Sequence, residues 1–212
     1  YVSPELLVGG SLNGLLRTVG VRAFAIDEAH CISHWGHDFR PEYRRLADLR
    51  DVFPDASFHA CTATATPQVR QDILEALRLS EPSILVGDFD RPNLTLRIRR
   101  REGGRDQLVQ EVRRHEGEGV IVYALSRKDT EQIASRLCKE GLTAEYYHAG
   151  LSPRARDRVQ ARFAREETNI VVATVAFGMG IDRSNIRAVI HASMPRSIEH
   201  YQQETGRAGR DG

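Results

Sequence analysis

Two adjacent carboxylates, Asp27 and Glu28, close a short apolar run (Val21, Ala23, Phe24, Ala25, Ile26) and are followed by Ala29 and His30. Such a run suits a strand buried on both faces of a parallel sheet, and ligands collect at the carboxyl edge of sheets of that kind. Neighbouring strand residues face opposite ways, so the two acids can take different work. One can hold a divalent metal through water while the other polarises an attacking water. A second group lies near the end, in Gln203-Glu204-Thr205-Gly206-Arg207-Ala208-Gly209-Arg210. The spacing predicts that Gln203, Arg207 and Arg210 share one helix face, which the small Gly206, Ala208 and Gly209 leave uncrowded. Two arginines there fit the stabilisation of charge on a transferring phosphoryl group. A solvated acid pair and a surface arginine pair are the bland alternatives. A third group is the run Thr174 to Asp182, where Gly178 and Gly180 let backbone approach a ligand and Asp182 offers a carboxylate to a hydroxyl. Finally, Trp35 is the only tryptophan and has Gly36, Phe39, Arg40 and Pro41 close by. An exposed Trp there can stack on a base, with arginine adding a cation–π or phosphate contact, unless it packs on its own core.

The elements that must position these groups read as an α/β chain. Ser57 to Cys61 is a strand, Thr66-Pro67 caps a helix over roughly 67 to 78 carrying Val69, Ile73 and Leu77, and Ser83 to Val86 is a further strand. Asp88 to Leu94 carries charges and a proline and reads as a connection, giving domains 1–89 and 95–212 with a linker over 90–94. Beyond it, Val120 to Leu125, Ala144 to His148, Asn169 to Thr174 and Ala188 to His191 are strands. Helices opened by Ser126 and by Ser152-Pro153 alternate with them. Alternation of this kind predicts a parallel sheet with right-handed crossovers.

The 212 residues are 41% hydrophobic and 28% charged, ordinary for a globular protein, and carry no apolar run long enough to span a bilayer. A cytosolic, non-membrane protein is expected. Cys31, Cys61 and Cys138 lack metal-ligand spacing and read as reduced thiols. The net charge of +1 leaves no global nucleic-acid footprint, and only Lys128 and Lys139 are lysines, so any phosphate-binding surface must be local and built from arginine. That arginine preference also suggests a GC-rich bacterial source, and with it a nucleoid-associated protein.

Asp27-Glu28-Ala29-His30 resembles the superfamily 2 helicases, and the continuation Ala29 to Tyr43 is similar to the aromatic-rich loop of the RecQ family of DNA helicases. His34 stands where that family commonly has glutamine. Thr174 to Asp182 and Gln203 to Gly212 match two further motifs of the family, and Tyr1 to Leu7 resembles a segment that touches single-stranded DNA. The resemblance implies two RecA-like parallel-sheet domains, the first incomplete at its N-terminus. No G-x-x-x-x-G-K-[ST] phosphate loop occurs, so the chain is expected to be a fragment of a longer protein. It implies ATP and Mg²⁺ as cofactors, the nucleotide lying between two domains that close as it is hydrolysed, with Asp27 holding the metal through water. Glu28, His30, Gln203, Arg207 and Arg210 are then catalytic or coupling residues, and Gly180 and Asp182 lie near the nucleotide. Ser3, His34, Trp35, Phe39, Arg40, Ser126, Arg127, His148 and Thr174 are implied to face single-stranded or branched DNA, in a monomer stepping 3′ to 5′ in repair and recombination. An ATPase-inactive DNA-binding module and an RNA helicase of the same superfamily are the alternatives.

Overall fold

A computed structural model of the chain describes every residue except His37, Asp88, Phe89, Arg101, Gly103, Gly104, Met179, Gly180 and Asp182, together with all but the side chain of Arg105. The chain divides into two units, Tyr1–Asp88 and Phe89–Gly212.

In the first unit, α1 (Pro4–Val8) and α2 (Asn13–Thr18) precede β1 (Ala23–Ile26). A 3₁₀ turn (Ala29–Ile32), α3 (Pro41–Arg44), a second 3₁₀ turn (Arg45–Asp48) and α4 (Leu49–Val52) lead to β2 (Ser57–Ala60) and α5 (Pro67–Ala76). β1 and β2 pair in parallel, Ala23 opposite Ser57 through to Ile26 opposite Ala60. The expectation that β1 is buried on both faces is corrected. Phe24 and Ile26 enter a core with Ile32, Tyr43, Leu46, Phe53, Val69, Ile73 and Leu77, whereas Ala23 and Ala25 are exposed. A single layer of helices covers the pair, so one face of each strand meets solvent and the burial alternates with the pleat. α5 begins where the sequence places it, with Thr66 Oγ1 accepting from Val69 N at 3.3 Å and Pro67 in the first turn. The Ser83–Val86 strand does not form: the segment finds no ladder partner among the described residues, and Ile84, Leu85 and Val86 are exposed.

The second unit holds α6 (Arg105–Arg113), β3 (Gly119–Tyr123), α7 (Arg127–Lys139), β4 (Ala144–Tyr147), α8 (Pro153–Ala164), β5 (Ile170–Ala173), β6 (Ile186–His191) and α9 (Ile198–Thr205). Its four strands run in the order β4-β5-β3-β6, every neighbouring pair parallel. Here the continuous apolar runs are buried on both faces, and every residue of β3 and β5 is buried. Val120, Val122 and Val172 meet Val109, Val112, Ala134 and Leu137 on one face, while Ile121, Tyr123 and Val171 meet Val159, Phe163 and Phe177 on the other. Ser126 and Ser152 cap α7 and α8 as their sequence positions predict, each side chain accepting from the amide three residues on. In the stretch read as a connection, Arg91 Nη2 and Asn93 Nδ2 donate to the Gly209 carbonyl at 2.7 and 2.8 Å, within the second unit.

One charged side chain holds the base of this sheet. Arg183 is only 4% exposed, with its guanidinium 4.6 Å from the Phe163 ring centroid. It donates to the carbonyls of Phe163 and Thr168 and to the side-chain oxygens of Asn169 and Asn185 at 2.7 to 3.2 Å. Burial lowers its pKa, yet an arginine starts so high that it stays charged. A Cβ on Gly119 would come within 2.9 Å of that guanidinium, which explains the glycine at the start of β3. Arg183→Ala leaves four acceptors without their donor and is expected to cost about 3 kcal/mol of stability or more. Urea unfolding of wild type and variant checks this, and an unchanged midpoint would refute it.

Candidate functional site

The first unit gathers the carboxylates at the end of β1. Asp27 is exposed, and its Oδ1 accepts from the Glu28 amide at 2.9 Å. Glu28 takes the left-handed conformation (φ 51°, ψ 40°), which is uncommon for a residue with a side chain and collects at functional turns. The sharp turn lets the buried His30 face the acid: its Nδ1 lies 3.3 Å from Glu28 Oε2 and 2.9 Å from Thr62 Oγ1. The Thr62 hydroxyl donates to the Thr64 carbonyl at 3.1 Å, so its lone pair receives the His30 Nδ1–H. His30 Nε2 lies 3.7 Å from the Cys31 thiol, whose pKa burial pushes up to about 11, so that the thiol keeps its proton. Glu28, His30 and the Thr62–Thr64 segment ahead of α5 thus form one connected group.

The aromatic-rich loop leaves this group directly. Ser33 is fully buried; its hydroxyl donates to Asp72 Oδ2 on α5 at 2.6 Å and accepts from the Trp35 amide at 3.1 Å. The chain then folds back over the 3₁₀ turn so tightly that a Cβ on Gly36 would sit 2.3 Å from the His30 carbonyl oxygen. That neighbour is backbone and cannot yield, so position 36 admits only glycine. Beyond it Trp35 is 75% exposed, and the rings of His34 and Phe39 stack with centroids 3.7 Å apart. Arg40 pairs with Glu5 and lies 5.3 Å from the Tyr43 ring centroid, so its guanidinium is shared between α1 and the loop. Ser3 is exposed at the start of α1.

The second unit holds the arginines, but not on one helix face. α9 ends at Thr205, with Gly206 as its C-cap, so only Gln203 is helical; Arg207 and Arg210 follow in the turns around Gly209, whose φ is 58°. The expectation of a shared face is corrected because paired glycines stop the helix and re-aim the chain. Arg207 Nη1 donates to the Gly178 carbonyl, and its buried Nε has no partner among the described residues. The adjoining Phe177 carbonyl is held by Tyr123 Oη at 2.9 Å; burial pushes that phenol up to about 12, so it remains a donor. A Cβ on Gly178 would meet the Arg207 guanidinium at 2.2 Å. Arg210 is exposed, with its Nε 3.4 Å from the Gly206 carbonyl. Gly180 and Asp182 lie outside the described residues.

The remaining sequence candidates sit at the carboxyl ends of β3, β4 and β5. Ser126 Oγ donates to Asp129 Oδ2 at 2.6 Å, and exposed Arg127 lies across Gly150, close enough that a Cβ there would approach it to 2.9 Å. His148 is 5% exposed, its Nε2 3.0 Å from Glu131 Oε1 and its buried Nδ1 without a partner among the described residues. Thr174 is half-buried and follows β5. Sequence reasoning missed Ser33, Asp72, Tyr123 and Arg183. Only Ser33 lay in a recognised motif, and the rest act through partners distant in the chain. Among the described residues no group of three or more His, Cys, Asp or Glu is placed to hold a metal, and no helix is long and apolar enough to cross a membrane.

Residues 104–212 match the family described as helicase conserved C-terminal domain. Across all of its length the chain is 49% identical to the ATP-dependent DNA helicase RecQ of Pasteurella multocida, covering 33% of that protein. It is 43% identical to the RecQ-like DNA helicase BLM of Xenopus laevis, again over the whole chain and over 16% of the relative. The chain therefore spans a third or less of the length of these relatives. Among solved structures, the helicase Lhr of Mycobacterium smegmatis, bound to single-stranded DNA and AMP-PNP, superposes with a TM-score of 0.69 at 24% identity. That match covers 98% of this chain and 29% of the other, and it shows the fold alone: RecA-like parallel α/β sheets.

Proposed function

Because this chain belongs to the helicase conserved C-terminal domain family and is of the RecQ type, we propose that it is part of an ATP-dependent DNA helicase that steps 3′ to 5′ along one strand in repair and recombination. The observation that carries the proposal is the connected group Glu28–His30–Thr62 at the end of β1, with the exposed Trp35 on the loop that leaves it. Glu28 takes the proton of the attacking water, held in its left-handed turn with His30 Nδ1 beside it. His30 passes changes at Glu28 to the Thr62–Thr64 segment and, through the loop it abuts, to DNA. Arg207 and Arg210 stabilise charge on the transferring phosphoryl group, and the buried Arg207 Nε, which has no partner among the described residues, supports an anionic ligand there. On the family pattern alone, Gly180 and Asp182 lie by the nucleotide.

Mg²⁺, when bound, neutralises charge on the phosphate oxygens. Its fit to this chain is that of a hydrated ion. Asp27 is exposed and already accepts one backbone amide, and no cage of three or more ligating side chains exists among the described residues. A single carboxylate acting through water is a normal Mg²⁺ contact.

On the DNA side, Trp35 stacks on a base, the His34–Phe39 pair supports it, and Arg40, Ser3, Ser126, Arg127 and Thr174 meet the sugar-phosphate backbone. His148 is buried, so it acts by fixing the loop after β4. A second reading, an ATPase-inactive DNA-binding module, is favoured for these residues in isolation, because no phosphate-loop sequence occurs among them. The test is ATP hydrolysis by the full-length protein with single-stranded DNA or with RNA of the same sequence. Turnover stimulated by DNA and not by RNA is expected. DNA binding without turnover would establish the second reading, and stimulation by RNA an RNA helicase.

A further inference from the structure

Trp35 is 75% exposed, yet its amide is fixed by Ser33, and Ser33 is fixed from a helix 39 positions away. The hydrogen-bonding logic of this contact runs one way. The Ser33 hydroxyl has one proton, and it goes to Asp72 Oδ2 at 2.6 Å; the lone pairs left on Oγ receive Trp35 N–H at 3.1 Å. Ser33 has no exposed surface, so water cannot take over either bond. Asp72 is itself oriented, with Gln68 Nε2 one turn back on α5 at 3.5 Å from Oδ1. The same helix opens at the Thr66 cap, just after the Thr62–Thr64 segment bonded to His30. α5 therefore grips the catalytic turn at its N-terminus and the aromatic-rich loop through its second turn.

We propose that Asp72 is a positioning residue: by holding Ser33 it fixes Trp35 against α5, so that DNA on the aromatic-rich loop and the Glu28–His30 turn are read by one rigid element. Asp72 touches neither nucleotide nor DNA; it sets where the loop stands. The inference rests on the helicase reading above and assigns its DNA coupling to a particular contact. A charged acceptor matters because an ionised carboxylate forms the shorter, stronger bond to a hydroxyl, and the Ser33 end of the bond is fully buried. Without it the buried hydroxyl must find its acceptor in the loop backbone, and the Trp35 amide loses its anchor.

The experiment uses the full-length protein with Asp72→Ala, Ser33→Ala and the double variant. ATP turnover is measured with and without single-stranded DNA, with the KM for ATP. Each single variant is expected to keep DNA-free turnover and the ATP KM within about twofold and to lose DNA stimulation by roughly tenfold, the scale of one charge-assisted hydrogen bond. The double variant is expected to lose no more than Ser33→Ala alone, because that substitution already removes the bond to Asp72. Retained DNA-free turnover separates loss of coupling from failure to fold. Stimulation intact in Asp72→Ala, or additive losses in the double variant, would overturn the role of Asp72 and leave the helicase reading standing. A wild-type protein that DNA does not stimulate would overturn both.

Discussion

Replacing Glu28 with Gln is expected to lower DNA-stimulated ATP turnover of the full-length protein by ~10³-fold, the contribution of a positioned general base. ATP and single-stranded DNA binding should stay within about twofold of wild type, since catalytic loss without binding loss marks a transition-state interaction. The substitution is close to isosteric. Its amide oxygen can stand where Oε2 stands, 3.3 Å from His30 Nδ1, and a side chain of the same length leaves the left-handed turn as it is. What disappears is the capacity to take a proton. His30 Nδ1 already donates to Thr62 at 2.9 Å, so that nitrogen holds no lone pair with which to take the proton instead. Single-turnover hydrolysis and a DNA-binding titration on the same preparation give both quantities. A variant that keeps more than a tenth of wild-type turnover would remove Glu28 from the mechanism.

The second large effect is expected at a residue with no side chain. Gly178→Ala places a methyl group within 2.2 Å of the Arg207 guanidinium. The obstructed atoms are the far end of a flexible side chain, so the fold survives while the arginine swings away. The anchor behind it, Tyr123 Oη on the Phe177 carbonyl at 2.9 Å, is untouched. Arg207→Ala is expected to reduce turnover by ~10³-fold, the lower range for an arginine that stabilises a transferring phosphoryl group. Gly178→Ala is expected to approach that loss with thermal stability close to wild type. Turnover and a melting curve for the two variants provide the check. If Gly178→Ala turns over normally while Arg207→Ala does not, the position of Arg207 against Gly178 is not the one used in catalysis.

These two sites show different degrees of legibility. The Asp27–His30 run could be placed at a strand end from its apolar lead-in, and the caps Thr66, Ser126 and Ser152 fall where serine or threonine stands ahead of a helical pattern. Residues of that kind act on amides three positions away, so their chemistry is local and the sequence carries it. The arginines were identified by type but misplaced in geometry. A spacing of four and three reads as a helix face, yet it cannot register that the helix stops at Thr205. Ser83–Val86 failed for a related reason: β-propensity describes fit to a neighbouring strand, and among the described residues there is none beside it.

Taken alone, the sequence determined the α/β class, the buried parallel strands of the second unit, the family and the list of reactive groups. Each of these follows from residue type, short-range periodicity or a contiguous motif. The tertiary structure alone decided that Ser33 belongs to Asp72, that Arg183 serves the carbonyls of Phe163 and Thr168, and that Arg207 rests on Gly178. It also decided that β1 has one bare face. Such pairings join residues separated by 15 to 39 positions, and local spacing holds no record of them. They form only when the packing of helices on sheets brings a buried donor and its acceptor out of water together, where leaving either one unpaired would be costly.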